Sequence, residues 1–234
     1  MIGTAIAGFA FPFYSNLRRE KAIKNWATRL LRILKINVEV RGNTSVLKSK
    51  QYIVAANHIS WLDVFLIHAI QPVRFVAKSE IRSWPIAGWL SAKAGTLFIE
   101  RTKRHHTATI NVLMRDALTN GEPIGLFPEG TTSRGDEIKK LHSSLFQAAV
   151  ETEVSILPIC IRYFDEREKR SEAAAYVGDI SFLASAIEIV SANKINAVVE
   201  IGDSIVTLNK NRRELANETY EALNRMLHKS SFVS

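Results

Sequence analysis

Seven short β-rich runs, most of them separated by segments of helical length, restrict the fold of this chain more than any other feature. The runs are "NVEVRG" (37–42), "YIVAAN" (52–57), "VRFVAK" (73–78), "TLFIE" (96–100), "PIGLFP" (123–128), "VSILPICIRY" (154–163) and "INAVVEIG" (195–202). Helices are predicted near 60–70, 84–93, 103–119, 141–152 and 211–229. That alternation predicts an α/β domain with a mostly parallel or mixed central sheet flanked by helices. Ligands in such sheets gather at the carboxyl ends of strands, where loops lead into helices. At 234 residues, 47% of them hydrophobic, the chain can bury one sizeable core, and no repeat or low-complexity tract divides it.

Charge narrows the partners. Lys and Arg number 31 against 23 Asp and Glu, a net +8 that favours nucleic acid, an anionic lipid surface, a phosphorylated substrate or an acidic carrier protein. No helix-turn-helix, zinc-finger or RNP-like pattern is present, which argues against nucleic acid. The single cysteine, Cys160, excludes an internal disulfide and a cysteine-built zinc site, and its setting in "SILPICI" reads as core.

The N-terminal part has its own character. Residues 1–14, "MIGTAIAGFAFPFY", are apolar but shorter than the roughly 20 residues of a spanning helix. They also lack the basic region that opens a signal peptide. On a helix over 15–36, Leu17, Ile23, Trp26, Leu30 and Leu34 form one stripe, and Arg18, Lys21, Lys24, Arg29 and Arg32 occupy the rest. A basic amphipathic helix suits an anionic membrane surface. Packing of the same stripe on the domain is the alternative. The expected division is a membrane-associating segment, 1–36, before a main domain, 37–234.

Three constellations lie at expected strand ends. In "NHISWLD", His58 and Asp63 are five residues apart, about 140° out of alignment on one regular helix. They can meet only if His58 lies in the turn and Asp63 in the first helical turn, with Ser60 as an expected N-cap. Two readings stay open: a helix-capping aspartate beside a buried histidine, or a dyad in which Asp63 orients His58 as general base. His68, inside the apolar helix, reads as core. No G-x-S-x-G elbow supplies an enzyme nucleophile, so a base here would activate a substrate hydroxyl directly.

The second constellation, "GTLFIERTKRHH" (95–106), offers Arg101 at a strand end as a bidentate phosphate clamp; the adjacent His105 and His106 are assigned no metal. The third, "FPEGTTSR" (127–134), places Glu129, Gly130 and Thr131 in a loop able to converge on an anion, although the Walker A spacing is missing. Glu129 is out of place there unless it pairs with an arginine, such as Arg101, or binds a substrate hydroxyl.

Together these blocks resemble the glycerolipid acyltransferase family typified by bacterial 1-acylglycerol-3-phosphate acyltransferase. Its H-x-x-x-x-D block matches "HISWLD", its second block "GTLFIER", its third "FPEGT", and its apolar proline block "ILPICI" around Pro158, all in order over 57–161. The resemblance implies His58 as general base oriented by Asp63, and a thioester donor, acyl-CoA or acyl-carrier protein. It places the acceptor's head on Arg101, Glu129, Gly130 and Thr131, and the Pro158 block on the donor side. It implies no cofactor or metal, and a site on the cytoplasmic face of the membrane. The default acceptor is 1-acylglycerol-3-phosphate. Where many phosphatidate-forming members carry a lysine-glycine pair, this chain reads "LHSSLF" (141–146), and the texture also resembles members that acylate lyso-ornithine lipid. A thioesterase, with His58 activating water, and a non-enzymatic basic membrane-binding module are the competing classes.

Overall fold

The computed structural model describes residues 15–83, 87–99 and 104–229. Within them seven strands form one sheet in the order β1-β7-β6-β2-β5-β3-β4. The strands are β1 (Ile36–Gly42), β2 (Tyr52–Ala56), β3 (Arg74–Lys78), β4 (Leu97–Ile99), β5 (Ile124–Leu126), β6 (Ser155–Phe164) and β7 (Ile195–Ile201). Every described pairing is parallel except β6 with β7, so the sheet is mixed, as the alternating pattern predicts. All seven strand runs are used, with described ends displaced by one or two residues: β1 gains Ile36 and β6 gains Phe164, while β2, β3, β5 and β7 are shorter than the runs.

The helices are α1 (Asn16–Ile33), α2 (Leu62–Ile70), α3 (Ala87–Lys93), α4 (Arg104–Thr119), α5 (Gln147–Thr152), α6 (Phe182–Ser191) and α7 (Arg212–His228). Helix α6 was not expected from the sequence. Ser181 starts it by accepting the Ala184 N–H on its hydroxyl, and only Ser185 and Ile189 are buried. Four residues apart, they give a narrow inward stripe that the surrounding apolar residues hide from a periodicity reading. The expected helix over 141–152 is shorter: a 3₁₀ turn, Ser143–Phe146, precedes α5.

Two apolar layers cover the sheet. One contains Leu31 of α1, Leu62 and Leu66 of α2, and Ile189 of α6, over Val54, Ile161 and Val199. The other joins Ile110 and Met114 of α4 and Leu215 and Leu223 of α7 over Ile53, Leu126 and Ile156. Strand β2, wholly buried between β5 and β6, carries side chains into both layers. The β2–α2–β3 crossover runs on the first face and the β4–α4–β5 crossover on the second. The β5–α5–β6 connection also runs on the second face, so the chains leaving the carboxyl ends of the neighbouring strands β2 and β5 diverge to opposite faces and open a crevice there.

Helix α1 packs on the domain. Ala27 and Leu31 are buried, Trp26 meets Phe65 of α2 edge-on with ring centroids 5.3 Å apart, and Lys24 Nζ donates to the Ile70 carbonyl. Part of the apolar stripe is therefore spent on α2, while Leu17 and Ile33 stay exposed. Residues 1–14 lie outside the described residues, and among the described ones no helix is long and apolar enough to cross a membrane. Cys160 is fully buried, and burial pushes its thiol up to about 12, in keeping with a core role.

Candidate active site

Asn57 closes β2. Its amide donates to the Ile161 carbonyl at 2.9 Å and accepts the Ile161 N–H at 2.7 Å, extending the β2–β6 pairing by one side-chain rung. The chain then leaves the sheet at His58 and enters α2 four residues later. This puts His58 in the turn and Asp63 in the first helical turn, the arrangement that the five-residue spacing requires. Ser60 does not cap the helix through its hydroxyl, which is buried without a partner among the described residues. Trp61 takes the N-cap position, and half of the expected reciprocal bonding survives as the Ser60 N–H donating to Asp63 Oδ2 at 2.9 Å.

Asp63 is fully buried and surrounded by donors. Oδ2 lies 2.8 Å from His58 Nδ1 and accepts the N–H of Ile59 at 2.7 Å as well as that of Ser60. Oδ1 accepts the Tyr163 hydroxyl at 2.7 Å. A carboxylate only accepts, so this network makes Nδ1 the protonated ring nitrogen and gives Nε2 the free lone pair. No described residue bonds Nε2, and the ring is 20% exposed. The imidazole is thus held from behind through Nδ1 and open in front at Nε2.

The other side of His58 is built by β5 and its loop. Phe127 stacks on the imidazole with centroids 4.0 Å apart, and Phe75 of β3 stacks on Phe127 at 5.3 Å. His68 meets the edge of Phe75 at 5.1 Å, completing a column of four rings. His68 is the buried core histidine that the sequence implies, and desolvation lowers its pKa to about 4. Next to Phe127, Glu129 is buried with one oxygen on each of two backbone donors: the His58 N–H and the Lys139 N–H, both at 2.9 Å. Burial raises its pKa, partly offset by those two bonds. Glu129 therefore fastens the β5 loop to the base of His58.

Gly130 has φ +73°, a conformation that glycine adopts without strain, and its N–H returns to the Phe127 carbonyl at 3.0 Å. Thr131 is exposed beside it. Beyond, the Ser133 N–H donates to the His58 carbonyl at 2.8 Å, the Tyr176 N–H to the Ile59 carbonyl at 2.9 Å, and the Thr132 hydroxyl to the Tyr176 carbonyl. Three loops are laced together around the histidine. Arg101, with the proposed Arg101–Glu129 pairing, lies outside the described residues. Strand β4, which leads toward it, is placed by Gly95, whose carbonyl accepts Arg74 Nε at 2.9 Å. Pro158 is buried in β6 opposite Ala55.

Sequence reasoning missed Tyr163, whose bond to Asp63 spans 100 residues, and the stacking role of Phe127. Phe127 was at least marked by its place in "FPEGT". Tyr163 carried no local signal, because only the neighbouring positions of β2 and β6 bring it near.

A sequence profile described as Acyltransferase matches residues 37–162, which contain all four motif blocks. The chain belongs to the acyltransferase family. Among acyltransferases, it is 32% identical over 206 residues to a lyso-ornithine lipid O-acyltransferase of Pseudomonas aeruginosa, covering 88% of this chain and 78% of that protein. It is 35% identical over 182 residues to a 1-acyl-sn-glycerol-3-phosphate acyltransferase of Neisseria meningitidis serogroup B, covering 78% of this chain and 71% of that one. A solved acyltransferase structure, PlsC from Thermotoga maritima, described as a 1-acyl-sn-glycerophosphate acyltransferase, matches with a TM-score of 0.76. The match covers 100% of this chain and 91% of that chain at 21% identity, a likeness of fold.

Proposed function

We propose that this acyltransferase moves a fatty acyl group from a thioester donor, acyl-CoA or acyl-carrier protein, to the free hydroxyl of a lysolipid. The observation that carries the reading is the His58–Asp63 contact of 2.8 Å in a ring that is still partly open. Nε2 of His58 takes the proton of the acceptor hydroxyl as its oxygen attacks the thioester carbonyl. The tetrahedral intermediate collapses, the C–S bond breaks, and the imidazolium returns its proton to the leaving thiolate. Asp63 holds the ring and offsets the positive charge that it gains. General-base help of this type contributes roughly 10²–10⁴-fold. No enzyme nucleophile is required, in line with the absence of a nucleophile elbow.

The acceptor is 1-acylglycerol-3-phosphate in the first reading, with Arg101, Gly130 and Thr131 meeting its head and Glu129 holding the loop that presents them. Lyso-ornithine lipid is the second, since a lyso-ornithine lipid O-acyltransferase is 32% identical over 206 residues beside 35% over 182 for the 1-acyl-sn-glycerol-3-phosphate acyltransferase. The lipid acceptor places the enzyme against a membrane, on its cytoplasmic face where thioester donors are made. Purified protein is incubated with acyl-CoA and each lysolipid in turn, beside His58→Ala. Acylation of one lysolipid by the wild type alone supports the reading. Fatty-acid release without acceptor would assign a thioesterase, and equal turnover by His58→Ala would remove His58 from the chemistry.

A further inference from the structure

Helix α6 is layered on the domain by one narrow stripe and turns the rest of its apolar surface outward. Leu183, Ile187 and Val190 are 69%, 57% and 63% exposed, and Phe182 before them is 42% exposed. They follow at intervals of four and three, which is one helix face. Glu188 is the helix's only charged side chain. Bare apolar side chains packed this densely on one face mark a contact surface rather than ordinary solvent-facing helix.

The topology says where this face lies. Helix α6 feeds β7 and α1 feeds β1, and these strands are parallel neighbours with Ile36 opposite Ile195. The carboxyl-terminal ends of α1 and α6 therefore come to the same edge of the sheet. Because β7 runs antiparallel to β6, and β6 parallel to β2, that edge is also where His58 leaves β2. Ile33, the last residue of α1, is 75% exposed there. Arg32 in the last turn of α1, Arg29 just before that turn, and Lys35 and Lys194 just before the two strands are all exposed. An aromatic chain ties the two helices through α2: Trp26 to Phe65 at 5.3 Å, Phe65 to Trp61 at 5.9 Å, and Trp61 to Phe182 at 5.0 Å. Trp61 Nε1 also donates to the Ser185 hydroxyl at 3.2 Å. Trp61 stands three residues after His58.

We propose that α6 and the carboxyl-terminal end of α1 form a lipid-docking face whose occupant is an anionic bilayer. Leu183, Ile187, Val190 and Ile33 enter the headgroup–acyl boundary, and Arg29, Arg32, Lys35 and Lys194 meet the anionic headgroups. An apolar patch bordered by cations is complementary to such a surface and to neither bulk water nor an uncharged one. The choice of a bilayer as occupant rests on the lysolipid acyl-transfer reading above. Docking through α6 would bring the His58 crevice to the level at which a lysolipid exposes its hydroxyl.

The test is co-sedimentation of the full chain with vesicles of phosphatidylglycerol and phosphatidylethanolamine, and separately of phosphatidylcholine. Wild type is compared with Leu183→Ser/Ile187→Ser and with Arg29→Gln/Arg32→Gln. The first variant is expected to lose about tenfold or more in partitioning to the anionic vesicles. Its far-ultraviolet spectrum and its turnover of a short-chain, water-soluble lysolipid should remain those of the wild type. The arginine variant is expected to lose a similar factor on anionic vesicles, and nothing on phosphatidylcholine. Wild-type-like sedimentation of the apolar variant overturns the proposal, and so does a wild type that stays in the supernatant. A wild-type dimer that Leu183→Ser/Ile187→Ser separates also overturns it, by assigning the face to a second copy. Sedimentation needs no turnover, so vesicle binding by a protein that acylates neither lysolipid keeps the docking face and removes the acyl-transfer reading alone.

Discussion

The Tyr163 hydroxyl donates a 2.7 Å hydrogen bond to Asp63 Oδ1, from the far end of β6 to the first turn of α2. The other carboxylate oxygen faces His58 and two backbone N–H groups, so among the described side chains Tyr163 is the one that holds Oδ1 and, with His58 on Oδ2, sets the rotation of Asp63. Burial and the neighbouring carboxylate push the Tyr163 pKa up, which keeps the phenol a donor. The His58–Asp63 pair is thereby tied to the strand that neighbours β2, and in the proposed mechanism Tyr163 is a positioning residue.

Tyr163→Phe removes that donor while keeping the ring. Loss of a bond to a charged acceptor should cost about 1.5–3 kcal/mol of stability. If Asp63 then rotates, kcat should fall roughly tenfold with KM held, since only transition-state alignment is affected. Denaturant unfolding and steady-state kinetics check both, and unchanged kcat would limit Tyr163 to stability.

His58→Ala should reduce turnover by roughly 10²–10⁴-fold and leave the fold intact, because the ring is partly exposed. Asp63→Asn should do comparable damage to turnover and also destabilise. An amide has one accepting oxygen, whereas the aspartate accepts on both. Turnover assays beside circular dichroism separate the two effects.

Glu129→Gln tests whether Glu129 chiefly holds the loop. Its two oxygens accept two backbone N–H groups, and a glutamine would turn its own NH₂ toward one of them. The buried mismatch should cost about 1–3 kcal/mol. A melting temperature like the wild type's, with activity lost, would give Glu129 a substrate role instead.

His68 makes stability pH-dependent. Its folded pKa is about 4 against an ordinary 6.5, because burial disfavours the charged ring. Between those values the unfolded chain binds the extra proton, so stability rises with pH through this window and is lost on acidification from 6.5 toward 4. The full effect is about 3 kcal/mol. His68→Phe should flatten that part of the stability–pH curve in urea titrations.

Gly125→Ala should disturb the ring column from beneath. A Cβ on Gly125 would lie 2.7 Å from Phe75 Cε1 and from Val73 Cγ2, so Phe75 must shift. Overpacking of this type costs about 1–3 kcal/mol. Because Phe75 supports Phe127 and Phe127 supports His58, kcat should fall with it.

Much of this arrangement is legible in the sequence, and the rest is not, for reasons that concern distance along the chain. Period-two and buried apolar runs mark all seven strands, since side-chain alternation and burial are local properties. The His58–Asp63 pairing is legible only with the family blocks beside it: the five-residue spacing requires a turn before the helix, but leaves a capping aspartate and an orienting one both open. Helix α6 was not legible, because its inward stripe is two residues wide and its outward face is as apolar as a core.

By itself the sequence determined the α/β layering, the His58–Asp63 turn and the family motifs, all carried by residues within a few positions of one another. Only the tertiary structure decided that Tyr163 holds Asp63, that Glu129 fastens the loop beneath His58, and that Phe127 stacks on its ring. It also brought the bare face of α6 to the edge where His58 lies. Those relationships depend on strand order and register, which place β6 and β5 on either side of β2. Strand order is set by the packing of whole layers against each other, and no short stretch of sequence encodes it.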